Sequence, residues 1–156
     1  MVVVLNILIT GATGFIGNEL VNGCLKENYS VIAVTRRLTS ELPPSVSQVI
    51  MSLSPNNDWA LALQDIEVVI HLAGLAHTFY TIDEYSQINY AATLNLASQA
   101  AKKGVRRFIF LSSIGVNGNE NKFPFKETDI PSPVENYAIS KYEAEKCLLE
   151  VANKTN

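Results

Sequence analysis

Tyr137 and Lys141 stand four residues apart in Tyr137-Ala138-Ile139-Ser140-Lys141, at the head of a segment with helical spacing. On a helix that interval puts both side chains on one face. A free tyrosine ionises at about 10 and is a poor base at neutral pH. A lysine ammonium beside it favours the phenolate, and so does the positive end of the helix. Each tenfold shift of that equilibrium takes about 1.4 kcal/mol, so a large shift needs more than one contributor. The pair is a candidate general acid/base with a tuning cation. Standing alone, such a pair is more often a surface contact than a functional one. Here it follows Ser112-Ser113, hydroxyls at the end of the apolar run Phe108-Ile109-Phe110-Leu111.

A second chemistry lies near the N-terminus, in Thr10-Gly11-Ala12-Thr13-Gly14-Phe15-Ile16-Gly17. An apolar run, Val2 to Ile9, precedes it, and Phe15, Ile16, Leu20, Val21 and Cys24 recur after it at helical spacing. Gly11, Gly14 and Gly17 therefore fall where a strand becomes a helix. There the first glycine permits a tight turn. The second lets a pyrophosphate approach the backbone and the helix N-terminus. The third lets the helix pack close to the sheet.

The elements that must position these groups alternate regularly. Ser30–Thr35 is predicted as the second strand, Ser47–Met51 as the third, Val68–Leu72 as the fourth and Phe108–Leu111 as the fifth. Asp58 is a candidate N-cap for a short helix reaching Gln64. A long helix is predicted from about Asp83 to Lys103, stopped by Gly104. An irregular loop spans 114–134, and a last helix runs from near Glu135 to about Val151. Alternating strands and helices imply one α/β domain over 1–156, a doubly wound parallel sheet of the Rossmann type. In such a sheet ligands sit beyond the carboxyl ends of the strands. Gly11–Gly17, Arg36-Arg37, Ser52-Leu53, Ala73-Gly74 and Ser112-Ser113 occupy those ends and should share one crevice.

Composition narrows the classes further. The 156 residues are 47% hydrophobic with a net charge of -3, which suits a folded core and gives no reason to expect nucleic acid as a partner. No apolar run is long enough for a membrane helix, and the apolar N-terminus lacks a basic flank and a cleavage site. Cys24 and Cys147 lack metal-ligand spacing and read as reduced thiols of a cytoplasmic protein, and no metal is expected.

Taken in order, Gly11-x-x-Gly14-x-x-Gly17, His71-Leu72-Ala73-Gly74, Asn89, Ser112-Ser113 and Tyr137-x-x-x-Lys141 resemble the extended short-chain dehydrogenase/reductase family, and within it the nucleotide-sugar epimerases, dehydratases and 4-ketoreductases. The resemblance implies that Tyr137 is the general acid/base and that Lys141 tunes it and holds the nicotinamide ribose. It implies that Ser113 hydrogen-bonds the reacting sugar oxygen and that Asn89 supports the site. It assigns cofactor contacts to Gly11, Thr13, Gly14, Phe15, Ile16 and Gly17 at the turn. Arg36, Arg37, Ser52 and Leu53 fall on the adenosine side. Leu72, Ala73, Gly74, Asn89 and Lys141 complete the set.

Departures from the family pattern carry their own expectations. The second strand ends in Thr35-Arg36-Arg37 without the usual aspartate, so NADP is expected, with NAD possible. Ser52 stands where an aspartate is frequent, and Gly74 where an alanine is. The residues after Ser113, Ile114-Gly115-Val116, disfavour a dehydratase and leave reductase and epimerase open. A non-catalytic dinucleotide sensor is the alternative, against which Ser113, Tyr137 and Lys141 argue. His71 reads as a packed, hydrogen-bonded histidine; His77 lies in the loop over the crevice, from which a side chain can touch substrate. Family members continue beyond a segment like this one into a sugar-binding domain, so the chain is expected to be the N-terminal part of a longer enzyme. The two long helices are expected to pair in a homodimer.

Overall fold

A computed structural model describes residues 4–76 and 79–155, so Val2, Val3 and His77 lie outside the described residues. Five parallel strands form one sheet in the order β3-β2-β1-β4-β5. They are β1 (Asn6–Thr10), β2 (Ser30–Thr35), β3 (Ser47–Ile50), β4 (Val68–His71) and β5 (Arg107–Phe110). The strand period of two sends alternate residues to opposite faces. Ile7, Ile9, Val31, Ala33 and Ile70 pack with Val21 and Cys24 of α1 (Phe15–Lys26) on one face. Leu8, Val34 and Val69 pack with Trp59, Leu63, Leu96 and Ala100 on the other. Both faces are thus covered, as a parallel sheet requires. Leu8 is fully buried at the centre, and Leu8→Ala should cost about 2–5 kcal/mol.

The order of strands reverses at β1. The chain leaves β1 toward β2 and β3, then returns to place β4 on the other side of β1. That reversal opens a crevice above the carboxyl ends of β1 and β4.

The long helix holds an irregularity that the apolar spacing did not predict. α2 (Ile82–Tyr85) and α3 (Ala92–Lys102) are joined by a π-helical turn, Ser86–Ala91, so that one helix runs from 82 to 102 with one widened stretch. Thr81 opens it with a capping box: its hydroxyl accepts from Glu84 N, and the Glu84 carboxylate accepts from Thr81 N. π turns inside α-helices are frequent at functional sites, and Asn89 lies inside this one.

Residues 58–64 form turns rather than the expected helix. Asp58 Oδ1 does accept from Ala60 N, at 2.9 Å, but the following bonds skip between three- and four-residue steps. Asp65 then adopts a left-handed φ of 58° and ends the segment. Burial of Trp59 and Leu63 against α3 outweighs local helix propensity there. The last helix, α4 (Asn136–Thr155), starts as expected and runs four residues past Val151. Ile114–Val116 forms a short 3-10 turn within the preceding loop. Among the described residues no helix is long and apolar enough to cross a membrane, and no cluster of three or more His, Cys, Asp or Glu could hold a metal ion.

Candidate active site

The turn after β1 is built on contacts that exclude side chains. Gly11 has a φ of 73°, and a β-carbon on it would stand 2.8 Å from Ala73 N. Gly14 N donates to Gly11 O at 3.0 Å, and Gly14 is the N-cap of α1. A β-carbon on Gly17 would collide with Gly11 O. The first turn of α1 carries no side-chain cap bond and no acidic residue, so its N–H groups keep their positive end for an anion.

Above this turn lies a cleft of about 480 Å³. Gly11, Thr13, Gly14, Arg36, Ser52, Leu53, Leu72, Ala73 and Gly74 line it, whereas Ser112 and Ser113, expected in the same crevice, are not among its lining residues. Phe15 and Ile16, whose side chains are exposed at the start of α1, are not among the residues that line the cleft. Gly17 is buried behind the turn. Arg37 lines a neighbouring cavity of about 390 Å³ with Thr13, Thr35, Arg36, Thr39 and Glu41. Thr35 Oγ1 is buried there without a hydrogen-bond partner. A tight glycine turn, a helix N-terminus without a side-chain cap, a cleft beyond the strand ends and an unsatisfied hydroxyl in a cavity lined by Arg36 and Arg37 suit a dinucleotide.

At the far end of the cleft Gly74 meets Asn89 and Lys141. A β-carbon on Gly74 would stand 2.9 Å from Asn89 Oδ1 and 3.4 Å from Lys141 Nζ. Asn89 is buried, and its carboxamide is fully used. Oδ1 accepts from Leu75 N at 2.7 Å, while Nδ2 donates to Leu75 O and to Ser140 Oγ, each at 3.0 Å. Ser140 Oγ in turn donates to Tyr137 O at 2.7 Å. One carboxamide thus ties the loop after β4 to the first turn of α4.

Lys141 is also buried. Its Nζ donates to Leu111 O at 3.0 Å and lies 4.5 Å from the Phe110 ring centroid. Burial lowers its pKa to about 8, against a small opposing pull from Glu145. The Tyr137 ring centroid is 5.9 Å from Lys141 Nζ and 6.1 Å from the Tyr85 ring centroid. Here the sequence expectation needs correction. The Tyr137 pKa is raised, first by burial and then by Tyr85, so these outweigh any pull of the lysine and the helix end toward the phenolate. Taking the hydroxyl out of water favours the neutral phenol, and here that effect is the larger.

Ser113 caps the Ile114–Val116 turn, its Oγ accepting from Gly115 N at 3.2 Å. A β-carbon on Gly115 would stand 3.2 Å from Ala138 Cβ, so this glycine brings the serine turn against the residue after Tyr137. Ser112 Oγ is buried without a partner.

A second, open cavity of about 720 Å³ adjoins the acid/base end, lined by Phe79, Tyr80, Tyr85, Val134, Glu135, Asn136 and Tyr137. Tyr80 lines both this cavity and the dinucleotide cleft. Tyr80 and Tyr85 belong to no motif and were not anticipated; only the aromatic cluster at 79, 80 and 85 hints at them.

Comparison with known proteins agrees with this geometry. UDP-glucose 4-epimerase of Vibrio cholerae is 38% identical over 159 aligned residues, covering 97% of this chain and 48% of that protein. Among solved structures, MoeE5 in complex with UDP-glucose and NAD matches with a TM-score of 0.84 at 31% identity, over 94% of this chain and 49% of that one. UDP-glucuronic acid 4-epimerase from Bacillus cereus in complex with NAD matches with a TM-score of 0.85 at 26% identity, over 97% of this chain and 53% of that one. The chain spans about half the length of the curated relatives it matches. Residues 7–156 match the family description itself, and the chain belongs to the NAD dependent epimerase/dehydratase family.

Proposed function

We propose that residues 1–156 form the cofactor-binding and acid/base part of a longer NAD(P)-dependent epimerase or 4-ketoreductase of nucleotide sugars. The observation that carries this reading is the wall shared at Tyr80, which sets a cavity bearing Tyr137 against the dinucleotide cleft. A sugar in the first and a cofactor in the second would face each other across the acid/base pair.

In this reading the glycine turn and the N-terminus of α1 hold the pyrophosphate, and Lys141 holds the adjoining ribose hydroxyls. NAD(P), when bound, supplies a hydride acceptor and donor and, in its oxidised form, a positive charge. Ser113 Oγ hydrogen-bonds the reacting sugar oxygen. Tyr137 Oη takes the proton of the sugar hydroxyl as its carbon becomes a carbonyl, and returns a proton when the carbonyl is reduced. The raised Tyr137 pKa suits the second half of that cycle, in which the neutral phenol is the donor. Asn89 keeps Lys141 and the loop after β4 in place.

NADP is favoured over NAD by Arg36 and Arg37, with Thr13, Thr35 and Thr39 around the same cavity. Glu41 is the one carboxylate lining it. A homodimer is supported by the pairing of α3 with α4, which leaves Ile139 and Leu149 of α4 exposed.

The deciding experiment is deuteride transfer from labelled NADPH and NADH to a panel of 4-keto-sugar nucleotides by the longer enzyme. Transfer that is lost in Tyr137→Phe supports the reading. Dinucleotide binding with no transfer to any sugar would make the chain a sensor.

A further inference from the structure

His71 is fully buried at the end of β4 and contacts residues of β1, α3 and β5. Its Nδ1 lies 2.7 Å from Thr10 Oγ1, and its Nε2 lies 2.9 Å from Thr93 Oγ1. Thr10 Oγ1 also accepts from Ala73 N at 3.2 Å. Thr93 Oγ1 donates to Asn89 O at 2.8 Å. The ring stacks on Phe110 at 5.9 Å, the same ring that lies beneath the Lys141 ammonium.

These contacts leave a single arrangement of protons. A threonine hydroxyl has one proton to give. Thr93 gives its proton to the Asn89 carbonyl, which can only accept. Thr93 Oγ1 must therefore accept from His71, which puts a proton on Nε2. A neutral ring then has its lone pair on Nδ1, and Thr10 donates to it. That frees the Thr10 oxygen to accept from Ala73 N. The chain reads, donor to acceptor, Ala73 N–H to Thr10, Thr10 O–H to His71 Nδ1, His71 Nε2–H to Thr93, Thr93 O–H to Asn89 O. A second ring proton would leave the Thr10 hydroxyl proton without an acceptor inside the core, and would add a buried charge near Lys141.

We propose that His71 is a positioning residue: as the neutral Nε2–H tautomer it fixes the Ala73 amide at the cleft floor and the Asn89 backbone in the π turn, in one directional hydrogen-bond chain. Through Asn89 this chain reaches Leu75, Ser140 and the first turn of α4. The two halves are separable, since one depends on an acceptor at Nδ1 and the other on a donor at Nε2. Its bearing on cofactor affinity rests on the dinucleotide reading above; the tautomer and the two tethers do not.

The test uses the full 156-residue chain labelled with nitrogen-15. In the unmodified protein, long-range nitrogen–proton correlation should show the proton on Nε2 and no ring titration between about pH 5 and 8. His71→Phe keeps the volume and the stacking but removes both tethers. Ala73 amide exchange should accelerate at least about tenfold, the Asn89 carboxamide signals should shift, and NADH affinity should fall about tenfold. His71→Gln, which can donate toward Thr93, should restore the Asn89 signals alone. His71→Asn, which can accept from Thr10, should slow Ala73 exchange alone. A proton found on Nδ1, a ring that titrates in that range, or half-rescues that fail to separate would overturn the proposal. If the unmodified chain binds neither NADH nor NADPH, the dinucleotide reading falls, and the tautomer and exchange results still decide the role of His71.

Discussion

Gly74 lies so close to Asn89 that a β-carbon on the glycine would stand 2.9 Å from the asparagine Oδ1. That oxygen is engaged by Leu75 N, and the same amide group anchors Ser140 through its nitrogen. Gly74→Ala should therefore push Asn89 off both partners. We expect a stability loss of about 1–3 kcal/mol, in the range for overpacking. Dinucleotide affinity should fall with it, read by NADH fluorescence. Unchanged affinity with an unchanged melting temperature would show that the asparagine has room to yield.

The buried Lys141 gives stability a pH dependence with a defined sign. Unfolded, a lysine holds its proton to about 10.5; folded, this one releases it near about 8. Between those values the unfolded chain binds more protons, so stability rises with pH through that window. The rise should be on the order of 3 kcal/mol for a shift of this size. Urea midpoints from pH 7 to 10 should climb in the unmodified protein more than in Lys141→Met. Parallel curves would place the lysine in a more solvated setting.

Cofactor preference should follow Arg36. NADPH should bind more tightly than NADH at moderate salt, and Arg36→Ala should reduce the ratio by about 10–100-fold, the worth of a charge-assisted hydrogen bond. Equal affinities in the unmodified chain would assign the arginine cavity to something other than a 2′-phosphate.

Tyr137 should separate binding from chemistry. Tyr137→Phe should leave dinucleotide affinity of the 156-residue chain within about twofold while lowering turnover by the longer enzyme about 10²–10⁴-fold. The 156-residue chain by itself should turn over no nucleotide sugar, because an untethered sugar loses the effective molarity of a held one. Turnover by that chain, abolished in Tyr137→Phe, would show the sugar site to be complete within it.

Assembly is read most directly by light scattering. A two-fold dimer through α3 and α4 should give twice the 17.1 kDa chain mass at micromolar concentration. Leu149→Asp, on the exposed face of α4, should return it to monomer. A monomer in both would remove the helix pair as an interface.

The parts of the site that depend on spacing along one element were legible in the sequence. Tyr137 and Lys141 share a helix face because four residues make one turn, and Gly11 and Gly17 mark a turn because a side chain at either would meet backbone. His71 was readable as a packed, hydrogen-bonded residue from its place at the end of an apolar strand. Tertiary placement hid the rest. The upward shift at Tyr137 comes first from burial that no local pattern encodes, and then from Tyr85, more than fifty residues away. The π turn around Asn89 keeps the hydrophobic period of an ordinary helix on either side, so its widened stretch left no mark. The missing helix at 58–64 gave way to the anchoring of Trp59 beneath β2 and β4.

Tyr80 forms part of two chambers at once. A ligand in either chamber would therefore rest against the same ring. By thermodynamic reciprocity, the factor by which a first ligand changes the affinity for a second is the factor by which the second changes the first. If each chamber takes a ligand, substituting Tyr80 should change that shared factor, read as the affinity for one ligand with and without the other.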